Sequence, residues 1–440
     1  MISPPASPER SRAGAAPFAT APVLFLGAAA TLVLVLASRS PLFFDEQYFL
    51  AAGRLHLAWG YMDQPPLVPA LAALFGSWLR VAAAVGGGLT VVLAGAIVRE
   101  LGGGRSAQVL AAAATACSGV LLMSHWLATY SLDPLFWTAI VWLVARRLRT
   151  GDDRLLLAAG VVTGLSLNTK FLVPVLWVAI LAGAPALLRV RAVWAGLGIA
   201  ALMTVPTLVW QARHGWPYLE MAAVVRRESE APLAFAFTGL ALFGLVGLVL
   251  LVVGIVRGPW WLRIVVVLVP VAIVLAGGRA YYLLEIVPTA IALGAARFTG
   301  GRVRWVLAGA GLAATAAGLA VLLPLPGSPG LMAAGEGTMQ PAADVVRQQW
   351  RGEPVVAQIY PLAAAIDLEG IPAYSGHRGY GYFAPPGDGS DDALWIGVDP
   401  MPQSFRDGFT TCTEIPADGL HLQRCTGRTA PWSALLTPVS

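Results

Sequence analysis

The stretch SRSPLFFDEQYFLAAGRLHLAWGYMDQPPLVPALAALF, residues 38–75, follows the first long apolar segment of the chain. It places the carboxylates Asp45, Glu46 and Asp63 close together, among aromatic side chains and beside a pair of prolines. Ionisable groups at the edge of a membrane are costly, so they commonly mark functional sites. These three side chains therefore predict both the start of a membrane part and the location of its chemistry.

The composition indicates a membrane protein with many spanning segments. Of its 440 residues, 57% are hydrophobic and only 12% are charged, whereas soluble proteins carry about 25% charged residues. The net charge of +5 comes almost entirely from arginine, since Lys170 is the only lysine. Arginine in such a chain mainly determines topology, so the positive charge does not indicate a nucleic-acid partner.

Apolar segments near the ~20 residues that a bilayer requires predict about eleven transmembrane helices. The predicted spans are residues 19–38, 79–99, 106–123, 126–145, 155–170, 172–188, 192–211, 233–256, 260–277, 280–297 and 303–324. The arginines favour the side that holds the N-terminus, which places the N-terminus in the cytoplasm. An odd number of spans then places the C-terminus outside, in a multi-pass protein of the cell membrane.

Three regions follow from this pattern. Residues 1–18 are predicted to form a disordered cytoplasmic tail, residues 19–329 the membrane part, and residues 330–440 a small extracytoplasmic α/β domain. In the last region, EPVVAQIY and DALWIGV are typical of short buried strands, and QPAADVVRQQW is typical of a helix. An extracytoplasmic location permits a disulfide between Cys412 and Cys425; two free thiols are the alternative.

The segment FFDEQYFLAAGRLHLAWG, residues 43–60, has apolar and aromatic residues at helical spacing. It is too polar to span, which predicts an amphipathic helix at the membrane interface. Successive helical residues point about 100° apart, so one of Asp45 and Glu46 is expected to face a cavity while the other holds the helix. Alternatively, both stabilise the positive end of the helix. Asp63 is either a helix N-cap or a second carboxylate facing Asp45.

Further polar residues lie at the predicted outer ends of the spans. Asp133 either starts a helix or belongs to the site. Lys170 either binds a phosphate oxygen as a point charge or snorkels to the interface. Arg279 with Tyr281 and Tyr282 forms either a phosphate clamp or a rim of interfacial aromatic residues.

Two more features concern the rim of this predicted site. Glu285, one turn beyond Arg279, is expected to pair with it. The loop 211–235 is amphipathic, and it either covers the cavity and contributes Arg226 or binds lipid headgroups only.

Five motifs occur in order along the membrane part. They are Asp45-Glu46, YMDQPPL (61–67), YSLDPLFW (130–137), NTKFLVP (168–174) and GGRAYYLLEIVP (277–288). With these motifs the chain resembles integral-membrane glycosyltransferases of the GT-C fold, in particular the bacterial relatives of protein O-mannosyltransferases and the lipid A aminoarabinose transferase. The combination is specific for this group of enzymes but not for a substrate.

The resemblance implies an inverting transfer of a sugar from a polyprenyl-phosphate carrier to a hydroxyl of a glycan, lipid or protein on the extracytoplasmic face. Asp45 would be the general base, with Glu46 and Asp63 as the other catalytic carboxylates. The motifs and the resemblance together predict these substrate-binding residues: Tyr48, Tyr61, Gln64, Asp133, Lys170, Arg226, Arg279, Tyr281 and Tyr282.

The chain departs from its relatives at two positions. Where the aminoarabinose transferase pattern has a lysine before the proline, this chain has Gln64. Where such relatives place a histidine in the later outer loop, this chain has Val224 and Val225. Neither a metal ion nor another cofactor is therefore predicted, and phosphate binding is expected to depend on Lys170 and arginine.

Two other classes of protein are alternatives to an enzyme, a transporter and a membrane scaffold. A transporter or flippase of a lipid-linked sugar is expected to show repeat symmetry and polar groups near the middle of the membrane, whereas this chain collects its polar residues at one face. A membrane scaffold that only presents residues 330–440 would leave the carboxylates of the first outer loop without a purpose. A glycosyltransferase is therefore the favoured hypothesis.

Overall fold

A computed structural model describes residues 16–299 and 301–438. Most of the predicted tail, residues 1–18, lies outside the described residues. The α-helices are α1 (Thr20–Ala37), α2 (Phe44–Leu55), α3 (Leu67–Phe75), α4 (Leu79–Glu100), α5 (Arg105–Ala116), α6 (Gly119–Met123), α7 (Thr129–Thr150), α8 (Arg154–Leu167), α9 (Val173–Gly183), α10 (Arg191–Arg213), α11 (Pro217–Arg227), α12 (Pro232–Ala241), α13 (Gly244–Arg257), α14 (Trp260–Leu275), α15 (Val287–Ala295), α16 (Arg302–Leu322), α17 (Gln340–Gln349), α18 (Tyr360–Leu368), α19 (Gln403–Arg406) and α20 (Trp432–Leu435). The strands are β1 (Val355–Ala357), β2 (Ala373–Tyr374), β3 (Ala393–Gly397), β4 (Phe409–Ile415) and β5 (His421–Arg428).

Every predicted span coincides with helical structure, but several spans are broken. Within the described residues, four helical segments are long and apolar enough to cross a bilayer: Thr20–Ala37, Leu67–Glu100, Arg191–Arg213 and Arg302–Leu322. The predicted span 233–256 consists of α12 and α13, which meet at an angle of 101°. The chain is therefore a membrane protein, while the count of eleven spans and their orientation stay predictions.

Small residues allow the helices to approach closely, as at the contact between α8 and α10. A Cβ atom on Gly160 of α8 would lie only 2.2 Å from the carbonyl oxygen of Gly196 on α10. The backbone of α8 cannot move freely there, because α8 also packs on α7. The contact therefore depends on glycine at this position.

Replacing Gly160 by alanine is expected to lower the free energy of unfolding by about 1–3 kcal/mol, since the two helices must separate. Thermal unfolding of the purified protein in detergent checks this. Gly198→Ala, also on α10, is the control, because a Cβ atom there meets nothing within 4 Å in the described part of the chain. Equal unfolding temperatures for the two variants would contradict the proposed helix contact.

The C-terminal segment forms the predicted small α/β domain. Its sheet has the strand order β2-β1-β3-β5-β4, with β1 parallel to β2 and β3 and with β5 antiparallel to β3 and β4. Two predicted strands and the predicted helix are present as β1, β3 and α17. Cys412 and Cys425 face each other on β4 and β5 and are joined as a disulfide.

Helix α2 lies where the sequence predicted a helix, but its surroundings differ from the prediction. It packs between α3 and α18, and residues 46–53 are buried. Apolar side chains of α2 and α3 belong to one cluster with side chains of α17, α18 and the sheet. The helix is therefore enclosed by protein and does not lie open on a surface as predicted. The C-terminal domain covers the side that faces away from α3.

Candidate active site

A cavity of about 300 Å³ lies where the membrane part meets the C-terminal domain. Seven of the residues predicted from the sequence line it: Asp45, Asp63, Gln64, Lys170, Arg279, Tyr281 and Tyr282. Tyr130, Tyr218, Tyr360 and Arg378 also line it. Polar groups from distant parts of the sequence thus converge on one enclosed space, as expected of a ligand site.

Asp45 is in the first turn of α2, and its side chain faces this cavity. The hydroxyl of Tyr360, the first residue of α18, donates a 2.6 Å hydrogen bond to Oδ1 of Asp45. Burial raises the pKa of the Asp45 carboxyl above its ordinary value, although the Tyr360 hydrogen bond and the charge of Arg378 act in the opposite direction. A carboxylate with a raised pKa is better suited to accept a proton near neutral pH.

Asp63 is the second carboxylate of the cavity. It is not a helix N-cap, because α3 begins at Leu67 and is preceded by Pro66. Its Oδ1 instead accepts a 2.9 Å hydrogen bond from the hydroxyl of Tyr48. Burial raises the pKa of Asp63 to about 6, and the nearby Asp45 contributes in the same direction. Tyr48 does not line the cavity but contacts Asp63, which does, and a direct contact of Tyr48 with substrate stays a prediction.

Glu46 does not line the cavity either, contrary to the prediction of a catalytic role. Its buried Oε2 lies 2.6 Å from Nη2 of Arg80, and it accepts a 3.0 Å hydrogen bond from the backbone of Phe43. Its Oε1 accepts from the backbone of Leu127. These contacts fix the first turn of α2, which directs the adjacent Asp45 toward the cavity.

Arg80 connects this turn to the start of the C-terminal domain. Its Nη2 is 3.2 Å from Oε1 of Glu336, and the same oxygen accepts from the indole of Trp126 at 2.6 Å and lies 2.9 Å from Nε2 of His125. The side chains of Arg80 and Glu336 are almost fully buried. A buried charge network of this kind is costly to disrupt, so it holds α2 in one position.

Lys170 lines the cavity, and its ammonium group is held on two sides. Its Nζ lies 2.9 Å from Oε1 of Glu285 and 3.5 Å from the centre of the Tyr282 ring. Glu285 thus pairs with Lys170. The predicted pair of Glu285 with Arg279 is wrong. The reason is geometric, since residues 280–285 form a 3-10 helix and not the α-helical turn that the prediction assumed.

Asp133 is buried below the cavity and does not line it. It lies in the second turn of α7, so it does not start that helix. Its Oδ1 accepts a 2.5 Å hydrogen bond from the hydroxyl of Ser166. This hydrogen bond joins α7 to α8, and a contact of Asp133 with substrate stays a prediction.

Two other predicted binding residues are also outside the cavity wall. Tyr61 is buried, and its hydroxyl accepts from the backbone of Ala58 and donates to the carbonyl of Ala52 or His56. Arg226 lies at the end of α11 with its aliphatic part against Gly277. Helix α11 itself does line the cavity, through Tyr218, Met221, Ala222 and Val225, so the amphipathic loop covers the site without contributing that arginine.

The sequence did not predict two cavity residues from the C-terminal domain, Tyr360 and Arg378. Arg378 stands in the glycine- and aromatic-rich stretch SGHRGYGYF, residues 375–383. A single arginine among glycines and aromatic residues was the sequence feature that could have indicated a binding residue here. Both residues need the docking of the domain onto the membrane part before they reach the cavity.

An apolar groove of about 720 Å³ adjoins the polar cavity. It is lined largely by side chains of α12, α13 and α14, and it shares Gly277 and Gly278 with the cavity wall. Polar and apolar spaces are thus adjacent at this face. Across residues 16–299 and 301–438, no group of three or more His, Cys, Asp or Glu side chains is placed to hold a metal ion.

Comparison with known proteins agrees with this architecture. Residues 63–210 match the family described as dolichyl-phosphate-mannose-protein mannosyltransferase. The structure is similar to that of ArnT from Cupriavidus metallidurans bound to undecaprenyl phosphate, with a TM-score of 0.61, and to that of the same protein in the apo state, with a TM-score of 0.63. In both cases the identity is 15%, and the match covers 92% of this chain and 98% of the other.

No curated protein sequence matches the chain significantly. The resemblance drawn from the five motifs is nevertheless confirmed by the family match and by the shared architecture. This chain is therefore a membrane protein with the GT-C fold, similar to the protein O-mannosyltransferases and to the lipid A aminoarabinose transferase.

Proposed function

We propose that this protein is an inverting glycosyltransferase that moves a sugar from a polyprenyl-phosphate carrier to an acceptor hydroxyl on the extracytoplasmic face of the membrane. The observation that carries the proposal is the cavity in which Asp45 and the cations Lys170 and Arg279 meet beside an apolar groove. The similar ArnT structure, which holds undecaprenyl phosphate, supports this class of donor.

The proposed reaction is a single displacement at the anomeric carbon of the donor sugar. The Asp45 carboxylate takes the proton of the acceptor hydroxyl while the hydroxyl oxygen forms the new bond to the anomeric carbon. The bond between that carbon and the phosphate oxygen breaks, and the polyprenyl phosphate leaves with the electron pair. A positioned base of this kind contributes about 10²–10⁴-fold to the rate.

The other cavity residues have separate roles in this proposal. The leaving phosphate gains negative charge, which Lys170 and Arg279 stabilise electrostatically. Asp63 and Tyr48 orient the acceptor side of the cavity through their hydrogen bond. The apolar groove receives the first isoprenoid units, so the phosphate reaches the cavity while the rest of the chain stays in the bilayer.

Product analysis tests the proposal. The purified protein is incubated with a panel of polyprenyl-phosphate sugars and with glycan, lipid and peptide acceptors, and the products are identified by mass spectrometry and NMR. We expect release of polyprenyl phosphate together with a glycoside of inverted anomeric configuration. A product of retained configuration would contradict the single displacement, and the absence of transfer across the whole panel would contradict the function.

The transfer rate is expected to fall on the acid side at a higher pH than it would for an ordinary aspartate. Burial raises the pKa of Asp63 to about 6 and raises that of Asp45, and the base must be ionised to accept a proton. Because both shifts are upward, protonation removes the active form at a higher pH than for an ordinary aspartate. Interacting carboxylates titrate as a pair, so the profile of kcat/KM reports their joint behaviour.

A matched variant sharpens this test. The Tyr48 hydrogen bond lowers the pKa of Asp63, so Tyr48→Phe is expected to move the acid limb of the profile to higher pH. An acid limb near the ordinary aspartate value of 3.8 that is unchanged in Tyr48→Phe would show that the buried pair Asp45 and Asp63 does not control the pH profile.

A further inference from the structure

The carboxylate of Glu228 bridges two arginines at the edge of the cavity. Its Oε1 accepts a 3.0 Å hydrogen bond from Nη2 of Arg378, and its Oε2 accepts one from Nη2 of Arg279. Both arginines line the cavity that Asp45 faces. Glu228 caps the C-terminal end of α11 and is 42% exposed, so it can leave this position without exposing a buried core.

The two arginines come from different parts of the chain. Arg279 precedes the 3-10 helix of residues 280–285, whereas Arg378 belongs to the C-terminal domain. The Glu228 carboxylate, which contacts both guanidinium groups, therefore links the membrane part, α11 and that domain. Guanidinium groups bind carboxylate and phosphate with the same geometry, so the position of the Glu228 carboxylate also suits a phosphate group.

Arg378 itself has two features that indicate a ligand. Its Nε is buried and has no hydrogen-bond partner among the residues that the structure describes. Its backbone φ of 49° lies in the left-handed region, which is costly for a residue with a side chain and is found mainly where function requires it. A guanidinium with one unused donor, held by an unfavourable backbone, is suited to receive a further oxyanion.

We propose that Arg279 and Arg378 form the binding site for the phosphate group of the donor, and that Glu228 occupies this site until the donor arrives. The inference rests on the proposed function and specifies its donor site. Donor binding and the Glu228 bridge exclude each other. Since Glu228 ends α11 and α11 covers the cavity, arrival of the phosphate also removes the contact that this end of the helix makes with Arg378 of the C-terminal domain.

Binding of undecaprenyl phosphate to the full-length protein tests this proposal. Glu228→Gln keeps the shape of the side chain but removes its charge, and we expect it to bind undecaprenyl phosphate about tenfold more tightly, since two partly exposed ion pairs no longer compete. Glu220→Gln, on the same helix and beside Tyr382 of the C-terminal domain, is the matched control and is expected to bind as the wild type does.

Two further variants show whether the effect depends on the arginine. Arg378→Met is expected to weaken binding by about tenfold or more, because a charge-assisted contact is lost. In the double variant Glu228→Gln/Arg378→Met, the gain in affinity from Glu228→Gln is expected to be smaller than in the wild-type background, since residues in contact are energetically coupled. Unchanged affinity in Glu228→Gln, or the same gain in the Glu220→Gln control, would overturn the proposal. Inorganic phosphate, which lacks the lipid, is expected to bind far more weakly to every form.

The same measurements separate this inference from the proposed function. Binding is measured without sugar transfer, so the expected pattern in a protein that transfers no sugar would support the phosphate site and contradict the enzyme. Transfer activity with an unchanged affinity in Glu228→Gln would support the enzyme and contradict the phosphate site.

Discussion

Replacement of Asp45 by asparagine is expected to lower the rate of sugar transfer by about 10²–10⁴-fold, because an amide cannot accept the proton of the acceptor hydroxyl. The Oδ1 atom that accepts the Tyr360 hydrogen bond is retained in asparagine, so the fold around the cavity should stay intact. Initial rates of product formation by the purified variant, with saturating donor, provide the measurement.

Asp344→Asn is the control for this substitution. Asp344 is an exposed carboxylate of α17 that contacts Arg347 one turn away, and its neutralisation should leave both transfer and unfolding temperature unchanged. A fully active Asp45→Asn protein would show that Asp45 is not the base. Asp63, which also lines the cavity, would then be the candidate.

Replacement of Arg80 by methionine is expected to lower the free energy of unfolding by about 3–5 kcal/mol, because it leaves buried carboxylates without a counter-charge. Arg80 contacts both Glu46 and Glu336, and all three side chains are almost fully buried. Thermal or denaturant unfolding of the purified protein in detergent measures the loss.

A comparison with an exposed ion pair isolates the effect of burial. Arg147 pairs with Asp153, whose side chain is 54% exposed, and Arg147→Met is expected to cost no more than about 1 kcal/mol. In the Arg80→Met background, neutralising Glu46 and Glu336 as glutamines should recover part of the stability. Equal losses from Arg80→Met and Arg147→Met would show that the buried network contributes little.

The sequence predicted where helices occur in the membrane part better than it predicted where they break. A bilayer requires long apolar helices, so apolar runs alone located α1, α10 and α16. The bend between α12 and α13 lies inside an apolar run and has no proline at the break. Its only mark is Gly244, whose φ of +66° cannot be recognised from composition.

The same limit applies to the site. Helical geometry was enough to expect that only one of Asp45 and Glu46 faces a cavity, and the predicted topology placed Lys170 and Arg279 at the same outer ends of the spans. The partners of the buried groups were not predictable, since Arg80 is 34 residues from Glu46 and 256 from Glu336. Such pairs depend on how helices and the C-terminal domain pack, which no local pattern records.

The hydrogen bond between Asp45 and Tyr360 joins residues that are 315 positions apart. During synthesis the N-terminal part of a chain emerges and folds first, so the nascent protein holds Asp45 and Asp63 long before Tyr360 and Arg378 exist. Under the proposed function, a half-synthesised chain is therefore not expected to transfer sugar, because its cavity still lacks these two residues. By the same reasoning, proteolytic removal of residues 330–440 is expected to abolish the proposed activity, because Tyr360 and Arg378 leave the cavity.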